Sequence, residues 1–424
     1  MSVSRPRARG GAGRAPPERD EVRGKPDPTA PRQRRAFSTM GGPVELGGDA
    51  PEARRLGKLL RVDPGLARAL THGFHSYAGR MHPSTARTAI AALSKPGQRV
   101  LDPFCGSGTV LVEAMAAGRE ATGVDASPLA VLIAKVRSTV LDEEARARLV
   151  STAGEISAAA AERARKRIRP EIPAWAGREK ERFSPHVALE LFGLRELVGQ
   201  TGEDEVGYAL RACFSSILVK FMRQSEGEGI QQRIGRGVPS HFFASRAQEL
   251  ARSLAALAAK TPAGTPPPRI RMGDARALEH LPDGEFHLVL SSPPYAGTYD
   301  YAEHHDVRFL WLGLPRAAFD RVQVGARDEG LGSPEKRWRS DRRRWLGEMA
   351  RVLRPGGSVV LVAGDGVVGG EPEDAAEAMG VEAPKAGLVL IAGASQSRPP
   401  RDSRLSAIFA GHRRREHMLI LRKE

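Results

Sequence analysis

The segment Arg99-Val100-Leu101-Asp102-Pro103-Phe104-Cys105-Gly106-Ser107-Gly108-Thr109 sets the terms for the rest of the chain. Arg99 to Leu101 reads as a buried strand, and a glycine-rich turn follows. A helix comes next, with small and apolar residues (Val112, Ala116, Ala117) at helical spacing. A second strand, Ala121 to Val124, ends on Asp125. Strand, glycine turn, helix and a downstream acid make the layout of a nucleotide-type site on an α/β sheet. The glycines let backbone N–H groups approach a ligand, and the acid accepts hydrogen bonds from ribose hydroxyls. Leu111 stands where a dinucleotide fingerprint has Gly or Ala, which weakens an NAD or FAD reading.

The second half of the signal lies far downstream. Phe286 to Leu290 reads as a buried strand running into Ser291-Ser292-Pro293-Pro294-Tyr295. Two prolines fix φ and remove two donors, so this is a stiff loop rather than an interior strand or helix. At a strand's carboxyl end, such a loop stands where ligands bind in open α/β sheets.

Paired, Asp-Pro-Phe-Cys-Gly-Ser-Gly-Thr and Ser-Pro-Pro-Tyr resemble the S-adenosyl-L-methionine-dependent amino-methyltransferases of DNA, which make N4-methylcytosine or N6-methyladenine. The resemblance runs from about Gly73 to the C-terminus, interrupted by a long insert. It implies a Rossmann-like, doubly wound, seven-stranded methyltransferase sheet. It also implies that Asp102, Pro103, Phe104, Gly106, Gly108, Thr109 and Asp125 hold the cofactor. A His-x-Tyr…Pro segment closes over the methionine end in that family. His75, Tyr77 and Pro83 match it, while Arg80 and Met81 replace the usual Lys and Phe. Asp274, after the strand Arg269–Met272, matches an acid near the adenine. Ser292, Pro293, Pro294 and Tyr295 match the catalytic loop.

The charge balance points to an anionic partner. Net charge is +15 and the isoelectric point is near 10.3. Residues 1–50 are Pro, Gly and Arg rich and read as a disordered basic arm, with ten Lys or Arg against four Asp or Glu up to Met40. Most of the excess lies beyond it. Two cysteines, Cys105 and Cys213, give no disulfide framework and fit a reducing compartment. No apolar run approaches the roughly 18 residues of a membrane span, and the N-terminus has no apolar signal core. The expected setting is a bacterial-type cytoplasm, at the nucleoid.

Residues 51–141 and 269–424 form the expected catalytic domain, and 142–268 a helical insert. Helices are expected over Glu52–Leu70, Ser84–Leu93, Leu129–Val140, Glu143–Arg169, His186–Gly199, Tyr208–Arg223, Ser240–Lys260 and Arg342–Leu353. Ser358–Ala363, Leu388–Ile391 and Met418–Leu421 are the last strands. The insert is the candidate target-recognition region. Its Gln224–Gly237 loop places Gln231, Gln232, Arg233 and Arg236 where such side chains reach base edges and phosphates; a solvated connector is the competing reading.

An exocyclic amine is a poor nucleophile, because its lone pair is delocalised into the ring. Ser292 Oγ and the Pro293 carbonyl are the expected acceptors of its N–H groups, and Tyr295 the surface on which the base stacks. The base has to be flipped out or already unpaired. Ser in the first position resembles cytosine-N4 enzymes, and adenine N6 is the alternative. Cytosine C5 chemistry needs a cysteine nucleophile on the target loop, and neither cysteine stands there. The histidines show no metal-ligand spacing with other His, Cys or acids in the sequence. An RNA methyltransferase of the transfer-RNA guanosine-N2 type and an inactive nucleic-acid-binding homologue remain as other classes. A restriction endonuclease partner is left open.

Overall fold

A computed structural model describes residues 43–180, 182–222, 234–325, 334–400 and 403–423. Its centre is a strand that the sequence made apolar: β2 (Arg99–Asp102), whose Val100 and Leu101 are fully buried. Before it come an edge strand β1 (Val44–Gly48), helix α1 (Ala50–Leu59) and helix α2 (Pro83–Leu93). Asp49 caps α1 through Glu52 N–H, and Pro83 opens α2 behind the His82 cap. After β2 come α3 (Thr109–Ala116), β3 (Glu120–Asp125) and α4 (Pro128–Arg137), which Ser127 caps.

The insert is all helical: α5 (Glu143–Lys166), α6 (Pro185–Gly199), α7 (Glu205–Leu218) and α8 (Val238–Lys260). Asp142 caps α5, and Glu190 of α6 accepts the Gly237 and Ser240 N–H groups at the start of α8. The apolar stripe read for the last helix, Phe243, Ala247, Leu250, Leu254 and Leu257, is buried. The insert core is continuous with the catalytic half, since Phe74, Val136 and Trp311 belong to it.

The chain then returns as β4 (Arg269–Met272) and β5 (Phe286–Ser291). The short helices α9 (Tyr301–His304), α10 (Asp306–Leu312) and α11 (Arg316–Val322) follow. Next are α12 (Pro334–Val352), β6 (Leu353–Gly364), a small hairpin of β7 (Gly366–Val368) and β8 (Glu371–Glu373), and α13 (Ala375–Glu382). β9 (Leu388–Ser397), α14 (Ser403–Ile408) and β10 (Arg415–Lys423) end the described chain. The main sheet runs β1-β9-β10-β6-β5-β2-β3-β4. β4, β3, β2, β5 and β6 are parallel neighbours, and β10 lies antiparallel between β6 and β9. Apolar clusters cover both faces. This is the expected doubly wound sheet.

The sequence reading needs three corrections here. Among the described residues the sheet has eight strands, because Val44–Gly48 of the supposed arm forms a strand antiparallel to β9. The expected Glu52–Leu70 helix stops at Leu59, and a 3₁₀ turn capped by Asp63 covers Pro64–Arg68, since Pro64 cannot continue a helix. The last helix before β6 starts eight residues earlier than Arg342, because Trp338, Asp341 and Arg342 in its charged first half face inward.

Candidate active site

The carboxyl ends of β2, β3, β4 and β5 open into one cleft, with about 600 Å³ of empty space when the adjoining open solvent is counted. Pro103, Phe104 and Gly106 of the first turn line it, as do Asp125, Asp274, Ser292 and Pro294. Tyr77 and Gly79 close one side, with Tyr301, Phe319, Val322 and Gln323 on another. Two loops almost two hundred residues apart in sequence thus meet in one space.

The glycine turn is built for close approach. Gly106 and Gly108 have φ of +49° and +80°, and a Cβ on Gly108 would stand 3.1 Å from Ala134 of α4. Thr109 is the buried first residue of α3. Asp125 takes the Gly106 N–H on one oxygen and the Ser127 N–H on the other, each at 2.8 Å. A carboxylate oxygen has two acceptor sites, so each keeps one for a vicinal diol. Burial raises this carboxyl to about 6, against the pull of those two N–H donors. The turn, the acid and the space therefore fit a nucleoside cofactor.

Asp102 is deeper and does not line the cavity. Its Oδ1 accepts the Ser291 hydroxyl at 2.6 Å and the Phe104 N–H at 3.2 Å. Burial raises it to about 7, the two donors opposing. It ties the cofactor turn to the start of the target loop, a link through Ser291 that the sequence reading missed.

Tyr77 stacks on His305 at 4.7 Å between centroids, and burial and then Asp125 push its phenol well above the usual value. Its two companions in the expected closing segment stand elsewhere. His75 is buried with Nε2 3.0 Å from Ser215 Oγ of the insert, and Pro83 is buried at the start of α2. Both hold the segment rather than the cavity, because packing against the insert turns His75 away. Asp274 lines the cavity, but both its oxygens are taken by Arg276, which also reaches Asp341 at 2.8 Å. Burial raises this carboxyl, yet Arg276 holds it below the usual range.

In the target loop, Ser292 and Pro294 reach the cavity while Pro293 is buried. Tyr295 is placed differently from expectation. It is absent from the cavity wall, its ring lies on Gly364, and its hydroxyl donates to Glu416 Oε1 at 2.9 Å. Cys105 is buried under the turn, where burial pushes its thiol well above the usual value.

Behind the turn, buried Arg137 of α4 donates to the Ser107 hydroxyl at 2.7 Å and the Thr71 carbonyl at 3.1 Å, and also holds the Ser107 carbonyl and the His72 ring. His72 in turn meets Glu113 at 2.8 Å, which Arg87 also pairs. Isolated polar residues within apolar helices gave no sequence signal for this cluster. Arg236 is exposed, and Gln231, Gln232 and Arg233 lie outside the described residues. Among the described residues, Asp365, Asp374 and His417 form a group with metal-like spacing, but Arg415 pairs with both acids, so a cation already occupies their charge.

The glycine turn and the acid at the end of β3 make a nucleoside-type cofactor site, and S-adenosyl-L-methionine is the cofactor it fits. Residues 70–136 match the N6/N4 methyltransferase family, described as DNA methylase. Over that segment the chain carries the signature of the DNA amino-methyltransferases. The type II methyltransferase M.MvaI of Kocuria varians is 37% identical over 87 residues, 20% of this chain and 19% of that protein. M.MjaII of Methanocaldococcus jannaschii is 39% identical over 66 residues, 16% of this chain and 12% of that one. The chain thus spans at most about a fifth of the length of these relatives. Similar solved structures include a TehB-like SAM-dependent methyltransferase of Corynebacterium glutamicum, 12% identical with a TM-score of 0.29 over 80% of this chain and 87% of that one. The YcgJ protein of Bacillus subtilis is also 12% identical, with a TM-score of 0.32 over 80% and 98%. Likeness of that degree carries no argument about substrate. No helix among the described residues is long and apolar enough to cross a membrane.

Proposed function

We propose that the protein moves a methyl group from S-adenosyl-L-methionine to an exocyclic amine of a DNA base, cytosine N4 foremost and adenine N6 as the alternative. The observation that carries this is the shared cavity: Gly106 and Asp125 line it from one side, Ser292 and Pro294 from the other.

Asp125 and the glycine turn hold and orient the nucleoside part of the cofactor. The cofactor supplies an activated methyl on a sulfonium centre. The chain supplies position, which is worth several powers of ten when two reactants are held in line. Ser292 Oγ accepts one N–H of the target amine and the Pro293 carbonyl the other, which frees the nitrogen lone pair. The prolines keep that carbonyl from turning. Tyr77 and Tyr301 exclude water from the methyl-bearing side. The base reaches Ser292 by leaving its stack, at a cost of a few kcal/mol.

Residues 142–268 serve as the target-recognition region, with Arg236 at its exposed edge, and basic surface supplies the sequence-independent part of DNA affinity. A restriction endonuclease partner is compatible with this role, and a DNA substrate places the work at the nucleoid.

The test incubates the protein with labelled cofactor and methyl-free genomic DNA and maps modified bases at single-nucleotide resolution. Methylation at a short motif is expected, lost in Ser292→Ala with cofactor affinity retained. Transfer to RNA and not DNA overturns the substrate, and loss of cofactor binding in a folded Ser292→Ala overturns the role of Ser292.

A further inference from the structure

The last strand carries a charged contact that the transfer of a methyl group does not itself require. Glu416 of β10 is the register partner of Gly364 on β6 and of Gln396 on β9. Directly paired residues put their side chains on the same face of a sheet. Gly364 has no side chain, so a slot opens beside Glu416, and the Tyr295 ring fills it. A Cβ at Gly364 would come within 2.4 Å of that ring. At the end of the slot the Tyr295 hydroxyl donates to Glu416 Oε1 at 2.9 Å. Glu416 Oε2 takes Arg398 Nη2 at 3.1 Å and Nε at 3.2 Å. Arg398 is 2% exposed and Glu416 7%.

A buried ion pair is a poor source of stability, because taking both charges from water offsets their attraction, and apolar residues of similar volume often do better. Its use lies in fixing geometry. Here the fixed object is the residue that follows Pro293-Pro294. The ring is held against the β6 backbone at Gly364, and its hydroxyl is held by a carboxylate whose other oxygen is taken by Arg398. Burial, and then the Glu416 charge, push the phenol well above its usual value, so it remains a donor at neutral pH.

We propose that Glu416 is a positioning residue of the target loop. Backed by Arg398, it pins Tyr295 so that Ser292 meets the incoming amine in one fixed geometry. This rests on the reading of Ser292–Tyr295 as the loop that receives the base.

The test compares wild type, Tyr295→Phe, Glu416→Gln and the double variant on a duplex containing the methylation site mapped with the wild type. Turnover, cofactor affinity by calorimetry and thermal midpoint are measured together. Each single change is expected to lower kcat about tenfold or more, as sub-ångström misplacement of reacting groups does. Cofactor affinity stays within about twofold, and the double variant is no worse than the weaker single one, because both changes act on the one Tyr295–Glu416 contact. Single variants with unchanged kcat and a lowered thermal midpoint make the contact a structural staple and overturn the proposal. Losses that multiply in the double variant overturn it too. A wild type that transfers no methyl to DNA sinks the methylation reading and this proposal with it. An active wild type with an unaffected Tyr295→Phe sinks this proposal alone.

Discussion

The cofactor turn at Asp102–Thr109 and the target loop at Ser291–Tyr295 line the same cavity but are held by different means. The turn is held by its own backbone and by near neighbours in sequence: positive-φ glycines, the Gly106 N–H on Asp125, Arg137 on Ser107, and α4 packed against Gly108. The target loop is held by side chains and strands from far along the chain. Ser291 binds Asp102, Val367 N–H donates to the Ala296 carbonyl at 2.8 Å, and Tyr295 reaches Glu416. Backbone geometry of the first kind is written in adjacent residues. Contacts of the second kind exist only once the sheet has formed.

That contrast can be broken most severely through Arg137, which braces the turn from behind. Arg137→Met leaves the Ser107 and Thr71 carbonyls without a buried donor and is expected to cost about 1–3 kcal/mol of stability for each, read by urea denaturation. Asp125→Ala is next. It removes a charged acceptor from the cavity and is expected to weaken cofactor binding by about 1.5–3 kcal/mol, with folding retained; calorimetry decides it. The glycines then separate the two loops. Gly108→Ala strains the turn by about 1–3 kcal/mol and is expected to lower cofactor affinity. Gly364→Ala drives a methyl into the Tyr295 ring and is expected to lower kcat while cofactor affinity stays put. If both variants fail in the same assay, the two loops are not separately held.

A smaller effect sharpens the link between them. Asp102 sits near 7 in the folded chain, above its unfolded value, so the folded state binds more protons between about pH 4 and 7. Its contribution is present at the low end and fades as pH rises through that window. Wild type is therefore expected to lose stability relative to Asp102→Asn as pH rises from about 4 to 7. A constant difference across that range would contradict the buried carboxyl.

Much of the fold could be read in advance. β4 falls at Arg269–Met272 as expected, and β5 overruns the expected Leu290 by a single residue. Asp142 and Ser127 cap the helices they precede. These features rest on period and capping, which are local. β1 escaped notice because Val44–Gly48 has two glycines and gains its order from pairing with β9. The start of α12 escaped because its inward Arg342 and Asp341 look like surface residues until Glu373 and Arg276 are seen beside them. The same reason hid Glu416, Arg137 and Ser291. His75 and Pro83 were placed in the cavity by analogy of spacing, and the insert, which the analogy does not include, is what draws His75 away.

The two outer strands of the sheet have a bearing on how copies of the chain treat one another. β4 has four residues, with Arg269 and Arg271 exposed, and β1 has five and runs into two glycines. Short, charged or kinked rims of this kind offer no long ladder of free amides for another sheet to continue. An open eight-stranded layer can therefore stay dispersed at the concentrations where flat, apolar borders would zip together into fibres.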